Sequence, residues 1–116
     1  MNTYIIIPTP KRDSQSGWIT NLVAGLLCRV LPSRNPDFSH LYDQVVAFHV
    51  EIDSDGSAQR EVGLDASGRV ITIAPWRENL GVIVDSDGPF DPAEFQHISP
   101  EQFEQEWKSY DSQPVA

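Results

Sequence analysis

Residues 45–74 contain three short segments in which apolar and polar side chains alternate, and two glycine-containing turns separate them. The segments are Val45–Ile52, Gln59–Leu64 and Arg69–Ala74, and the turns are Asp53–Ala58 and Asp65–Gly68. Alternation with a period of two is typical of strands with one buried face, and turns this short join strands that run antiparallel. The pattern therefore predicts a β-meander, with Leu80–Val84 as a further strand after the connection Pro75–Asn79.

The same alternation predicts which side chains of the first hairpin face the core. The expected core sets are Val46, Phe48, Val50 and Ile52 on one strand and Arg60, Val62 and Leu64 on the next. We expect both sets to pack against helices. Because Arg60 is charged, we expect it to lie at the sheet edge or to pair inward with a carboxylate. Glu51 and Glu61 are predicted to lie on the outer face, opposite one another across the hairpin.

Two elements are predicted before the meander. Tyr4–Ile7 is rich in β-branched side chains and stops at Pro8, which predicts an edge or leading strand. Apolar residues recur at helical spacing within Gly17–Leu31, after the potential N-cap Ser16. We expect this amphipathic helix to face the core, since a membrane-surface helix would carry more basic residues than Arg29 alone.

The C-terminal part of the chain repeats one helix-start signal. Asp91 precedes Pro92 in FDPAEF, and Ser99 precedes Pro100 in ISPEQF. Asp and Ser are good N-caps, and proline is favoured at the first helical position. The first signal predicts one short turn, because the second follows closely. The second signal predicts a helix that continues through Trp107.

These elements together predict an α+β fold. We expect an antiparallel meander sheet of about four to five short strands, packed against an N-terminal helix and a short C-terminal helix. A chain of 116 residues has the size of one domain, which we place at residues 1–110, with a frayed tail at 111–116.

Composition favours a soluble, cytoplasmic protein. The chain has one cysteine, Cys28, which excludes an internal disulfide framework and fits a reducing compartment. The first residues lack the order of charge and apolar run that marks a secretory signal. The longest uncharged window, residues 14–28, is shorter than the roughly 20 apolar residues that cross a membrane.

The negative charge is concentrated in the second part of the chain. The net charge is −9, made up of +3 in residues 1–36 and −12 in residues 37–116. An acidic body repels nucleic acid and attracts basic proteins. We therefore predict an acidic surface that binds a basic partner protein, with no role for nucleic acid or membrane. Its predicted residues are Glu51, Asp53, Asp55, Glu61, Asp85 and Asp87.

We predict no catalytic residues, no metal and no cofactor. Turns around Gly56 and Gly88 resemble calcium loops, but an EF-hand alignment places Val62 at the twelfth position of one and Ile83 at the first position of the other. The three histidines lack the paired spacing of compact zinc motifs. A small metal-dependent enzyme, or one that uses Glu51 and Glu61 as an acid–base pair, stays an alternative.

Three stretches carry a family resemblance: QREVGLDASGRVITIAP, GVIVDSD and ISPEQFEQEW. They resemble a small bacterial family of domains of unknown function, with an R-E-[I/V]-G-L-D hairpin motif, a G-x-x-x-D-S segment and a closing I-[S/T]-x-E-x-F-x-x-x-W helix. The matching positions are Arg60 to Asp65, Gly81, Asp85, Ser86, Ile98, Ser99, Phe103 and Trp107. The resemblance covers residues 45–107, so residues 1–44 are expected to be an addition to the family pattern.

Such domains are often grouped with the immunity proteins of bacterial toxin systems. The resemblance implies a non-enzymatic protein that neutralises a toxin by binding it, and it brings no catalytic residues. A regulatory or scaffold domain with another protein partner is the alternative within the binding class. Either a monomer or a homodimer formed through the helix at 17–31 is compatible with the sequence.

Overall fold

Five strands form one antiparallel sheet with the order β4-β3-β2-β1-β5. The computed structural model describes residues 2–9, 35–85 and 89–111, so the predicted helix at 17–31 lies outside the described residues. The elements are β1 (Thr3–Pro8), β2 (Ala47–Ile52), β3 (Ala58–Leu64), β4 (Val70–Ala74), β5 (Gln96–His97), the helix α1 (Pro100–Asp111), and 3₁₀ turns at Ser39–Gln44 and Pro92–Glu94.

The meander β2–β3–β4 is confirmed, and aspartates organise both of its turns. The Asp53 carboxylate accepts hydrogen bonds from the amides of Asp55 and Ser57 at 2.9 and 3.0 Å. The Asp65 carboxylate accepts equivalent bonds from Ser67 and Arg69, both at 3.0 Å. Each turn ends in a glycine with a positive φ, as expected where a hairpin turn closes with a left-handed residue.

The register of the first hairpin corrects the predicted faces. Val50 lies opposite Glu61, and Glu51 lies opposite Arg60. Residues directly opposite in an antiparallel pair share a face. The two expected core sets therefore lie on opposite faces of the sheet, and Glu51 and Glu61 do not face one another. In addition, Val46 precedes β2 and is exposed.

Each face of the sheet has its own apolar core. The first core contains Ile5, Ile7, Val45, Phe48, Val50, Ile52, Val82 and Ile83. The second contains Phe38, Val62, Leu64, Val70, Ile73 and Phe103. Because both faces are covered, β3 buries side chains of both parities, which explains why Val62 and Glu61 are both fully buried.

Two strand predictions are wrong in detail. Leu80–Val84 is a loop and not a strand, because its backbone turns at Gly81 (φ 89°) and wraps around the Glu61 carboxylate. The first strand is present but is not at the edge. It pairs with β2 along its length and with the two-residue β5 on its other side.

The two C-terminal helix signals are both used. Asp91 accepts a hydrogen bond from the Ala93 amide and starts the 3₁₀ turn, and Ser99 accepts one from the Gln102 amide at the start of α1. Phe103 of α1 is fully buried in the second core, and its ring lies 6.4 Å from that of Trp107. The protein is thus α+β, with a five-stranded antiparallel sheet and a C-terminal helix. Among the residues that the structure describes, no helix is both long and apolar enough to cross a membrane.

Candidate functional site

The predicted partner-binding carboxylates that the structure describes do not lie together on one surface. Glu51 (9% exposed) and Glu61 (0%) are buried on opposite faces, so neither belongs to an acidic surface. Asp53 and Asp55 lie in the turn between β2 and β3, and Asp55 is exposed. Asp85 is half-buried at the end of the 81–84 loop, and Asp87 lies outside the described residues.

Glu51 is held by side chains from β1, from β3 and from Asn2, which precedes β1. Its Oε1 accepts a hydrogen bond from Arg60 Nε at 2.6 Å, and its Oε2 accepts bonds from Asn2 Nδ2 (2.8 Å) and Tyr4 OH (3.2 Å). Burial acts to raise the pKa of Glu51, but the hydrogen bonds from Arg60 and Asn2 outweigh it, and the pKa is lowered. Glu51 is therefore a stabilised internal carboxylate, suited neither to docking nor to proton transfer near neutral pH.

Arg60 pairs inward, as one of the two sequence alternatives predicted. Its guanidinium bridges Glu51 of β2 and Glu104 of α1. The same group lies 5.0 Å from the Phe103 ring centroid and 5.1 Å from that of Trp107, close enough for cation–π attraction to both. These contacts tie the sheet to the helix. They also neutralise the positive charge of Arg60 inside the fold.

A second polar pair, between His49 and Glu106, joins β2 of the sheet to α1. His49 Nδ1 lies 2.6 Å from Glu106 Oε1, and Gln102 Nε2 donates to Glu106 Oε2 at 3.2 Å. Sequence reasoning missed Glu104 and Glu106 because their partners are more than 40 residues away, although the spacing of Gln102 and Glu106 already places them on one face of a helix.

Glu61 occupies the other face, in a contrasting environment. Its Oε1 accepts hydrogen bonds from three consecutive amides, those of Val82, Ile83 and Val84, at 2.8, 2.8 and 2.9 Å. Its Oε2 is buried without a hydrogen-bond partner. Burial raises the pKa of Glu61 to about 7, and the three amides only partly oppose this. The carboxyl group is therefore poised to change its charge near neutral pH.

Two more unpartnered polar groups lie on the Glu61 side of the sheet. The hydroxyls of Tyr42 and Thr72 are buried and make no hydrogen bond. Burial, with the Glu61 charge nearby, raises the pKa of Tyr42 far above its ordinary value. Gly81 leaves room for the carboxylate, because a Cβ at this position would lie 2.6 Å from Glu61 Oε1.

The start of the 81–84 loop is fixed by two buried asparagines. Asn35 donates to the Gly81 carbonyl (3.1 Å) and accepts from the Gly81 amide (2.8 Å). Asn79 donates to Asp37 Oδ2 at 2.8 Å and accepts from the Asp37 amide at 3.0 Å. The loop is consequently held by side chains rather than by a strand ladder, a feature that alternation alone could not reveal.

Four acidic residues, three of them exposed, form a group that we call the acidic edge: Asp53, Asp55, Asp91 and Glu94. The Phe90 amide donates to the Gly56 carbonyl at 2.8 Å, which brings the β2–β3 turn against the segment that contains Asp91. Asp55, Asp91 and Glu94 are exposed, and Asp53 is half-buried. Sequence reasoning missed Asp91 because its role as the N-cap of the 3₁₀ turn Pro92–Glu94 concealed its position beside the β2–β3 turn.

Exposed negative charge exceeds exposed positive charge in the described part of the chain. The exposed bases there are Arg69, Arg77 and Lys108. The exposed acids there are Asp37, Asp43, Asp55, Glu78, Asp91, Glu94, Glu101 and Asp111. Within the same residues, no three or more His, Cys, Asp or Glu side chains are placed together to hold a metal ion.

No protein-family model matches this chain, and searches of curated proteins and of solved structures each found no match. The resemblance described above for residues 45–107 therefore stays a prediction.

Proposed function

We propose that this protein is a non-enzymatic binding domain that docks a basic partner protein on the acidic edge. The observation that carries the proposal is the charge balance of the surface. Arg60 is paired with Glu51 and Glu104, and among the described residues the exposed side chains include eight acids but only three bases. Such a surface attracts a cationic partner and speeds its encounter.

The structure narrows the set of residues on which the proposal rests. Asp55 and Asp91 are its centre, because each is exposed and each flanks the Gly56–Phe90 hydrogen bond. Asp53 adds negative potential while its oxygens cap the turn. Glu51 and Glu61 are left out because their carboxylates are buried.

The finer proposal is an immunity-type protein that neutralises a bacterial toxin in the cytoplasm. Its support is the motif resemblance at residues 45–107 together with the acidic edge, since a cationic toxin domain can be blocked by occupying its basic surface. A regulatory or scaffold domain would use the same surface, and only the identity of the partner separates the two functions.

The test is co-expression with the product of the adjacent gene, followed by co-purification and calorimetry. We expect a stoichiometric complex whose affinity falls as salt is raised. The double substitution Asp55→Lys with Asp91→Lys should weaken binding at least tenfold, on the order of 1.4 kcal/mol. The matched control is the double substitution Asp43→Lys with Glu78→Lys, which makes the same change in charge at two exposed acids outside the acidic edge.

Two outcomes would overturn parts of the proposal. Equal weakening by the control pair, Asp43→Lys with Glu78→Lys, and by the double substitution in the acidic edge would show that net charge acts without the acidic edge. A neighbour that is not a toxin, with no toxin domain bound, would remove the immunity function and leave the regulatory or scaffold alternative.

A further inference from the structure

Glu61 is the most deeply buried acidic residue among those that the structure describes, and its two oxygens have unequal surroundings. Oε1 receives three amide hydrogen bonds, whereas Oε2 receives none. A buried ionised carboxylate normally has partners for both oxygens, because an unpaired buried charge is costly. The geometry therefore fits a carboxyl group that carries a proton on Oε2.

The location of that proton follows from the donors. The three amides of Val82 to Val84 occupy the lone pairs of Oε1, so a proton on this oxygen would displace them. A proton on Oε2 leaves all three amide bonds in place and gives the carboxyl group a donor of its own. The hydroxyls of Tyr42 and Thr72, on the same side of the sheet, are also buried without a hydrogen-bond partner, and a hydroxyl oxygen is chemically able to accept a bond of this kind.

We propose that Glu61 is a proton-linked latch for the Gly81–Val84 loop: the protonated carboxyl group keeps the loop closed, and loss of the proton to solvent makes opening easier. The latch is a regulatory device of the fold and does not depend on the proposed binding function. The loop places Val82 and Ile83 in the first core and ends beside Asp85. Opening therefore exposes two apolar side chains and displaces an acidic residue.

Among the described residues around Glu61, the charged group on this face of the sheet is an acid, and it favours the protonated form of Glu61. Asp85, which directly follows the loop, acts to raise the pKa of Glu61 by its negative charge. Tyr42, from the 3₁₀ turn, is neutral because its own pKa is raised. The neighbouring β2 residue on this face, Val50, and the β4 residue Ala74 carry no charge. The charged groups Arg60 and Glu51 lie on the opposite face.

The test is amide hydrogen exchange of the full chain at about pH 6 and about pH 8, with protection factors corrected for the intrinsic effect of pH. A group with a pKa of about 7 when closed and 4.5 when open makes opening about tenfold more frequent over this interval. We expect the protection factors of Val82, Ile83 and Val84 to fall by about this factor.

Two variants and one direct titration complete the experiment. Glu61→Gln keeps the oxygen acceptor and should make protection at Val82–Val84 independent of pH. Glu51→Gln, the control on the opposite face, should keep the tenfold change. In the wild-type protein, the NMR chemical shift of the Glu61 carboxyl carbon should change with a midpoint near pH 7. This measurement tests the latch even if Glu61→Gln does not fold. Protection that is flat in the wild type, an unchanged fall in Glu61→Gln, or a titration near pH 4.5 would each overturn the latch.

Discussion

Glu51 and Glu61 lie on neighbouring strands, one register position apart, with their carboxylates on opposite faces of the sheet. Arg60 and Asn2 hold Glu51 as an anion, whereas burial favours the protonated form of Glu61. One hairpin thus contains two glutamates with opposite pKa shifts, and this difference makes the stability of the protein depend on pH in two separate windows.

The first window lies between about pH 4.5 and pH 7. Because the pKa of Glu61 is raised in the folded state to about 7, its stabilising effect is complete below about pH 4.5 and is lost as the pH rises through 7. The loss should be on the order of 3 kcal/mol in the free energy of unfolding, measured by urea denaturation. Glu61→Gln should abolish this slope, and a wild-type slope that persists in Glu61→Gln would contradict the assignment.

The second window lies at acid pH. Since the pKa of Glu51 is lowered in the folded state, its contribution is present above about pH 4.5 and is lost as the pH falls through the lower, folded value. Glu51→Gln should flatten the acid limb of the stability profile without changing the limb above pH 4.5. If acid sensitivity is the same in both proteins, Glu51 does not contribute to it.

Replacement of Arg60 should destabilise the contact between the sheet and α1. Arg60→Met keeps most of the apolar stem but leaves Glu51 and Glu104 near one another without their shared cation. We expect a loss of about 2 kcal/mol, less than for a fully buried pair because the Arg60 side chain is 25% exposed. Arg69→Met, at an exposed base, is the control and should change the free energy of unfolding by less than about 0.5 kcal/mol.

The two hairpin glycines provide a matched pair of substitutions. Gly56 (φ 84°) and Gly68 (φ 85°) have the same backbone conformation, so Gly→Ala should cost about 1 kcal/mol at either site through the backbone alone. At Gly56 a Cβ would also lie 2.8 Å from the Phe90 carbonyl oxygen and 2.8 Å from Pro89 Cβ, whereas at Gly68 it meets nothing within 4 Å.

Gly56→Ala should therefore lower the free energy of unfolding by about 1 kcal/mol more than Gly68→Ala does. It should also weaken partner binding, because it separates Asp55 from Asp91. Equal costs at the two glycines would mean that the Pro89–Phe90 segment does not rest on the turn.

Local signals in the sequence predicted the local structure well. Alternation and turn chemistry identified β2, β3 and β4, and capping residues identified the starts of the 3₁₀ turn and α1, because each of these depends on neighbours in the chain. Alternation did not predict the register between β2 and β3. This register, with Val50 opposite Glu61, depends on the fact that both faces of the sheet are covered by apolar cores.

The candidate sites depend on distant residues and were only partly predictable. Arg60 was expected either to lie at the sheet edge or to pair inward, but its partner Glu104 lies 44 positions away and is defined only when α1 docks. The 81–84 sequence looks like a strand because it is apolar. It forms a loop because the Glu61 side chain takes the amide bonds that a neighbouring strand would otherwise supply.

The position of β1 has a consequence for how the molecule is made. β1 pairs with β2 through Thr3 and Ile52 and with β5 through Ile5 and His97, so a strand that precedes the meander in the chain is completed by a strand that follows it. During synthesis the meander can form from its own hairpins, while one side of β1 stays unpaired. Closing the sheet is then a late step, and a nascent chain that pauses before residue 96 presents an open β-edge to its surroundings.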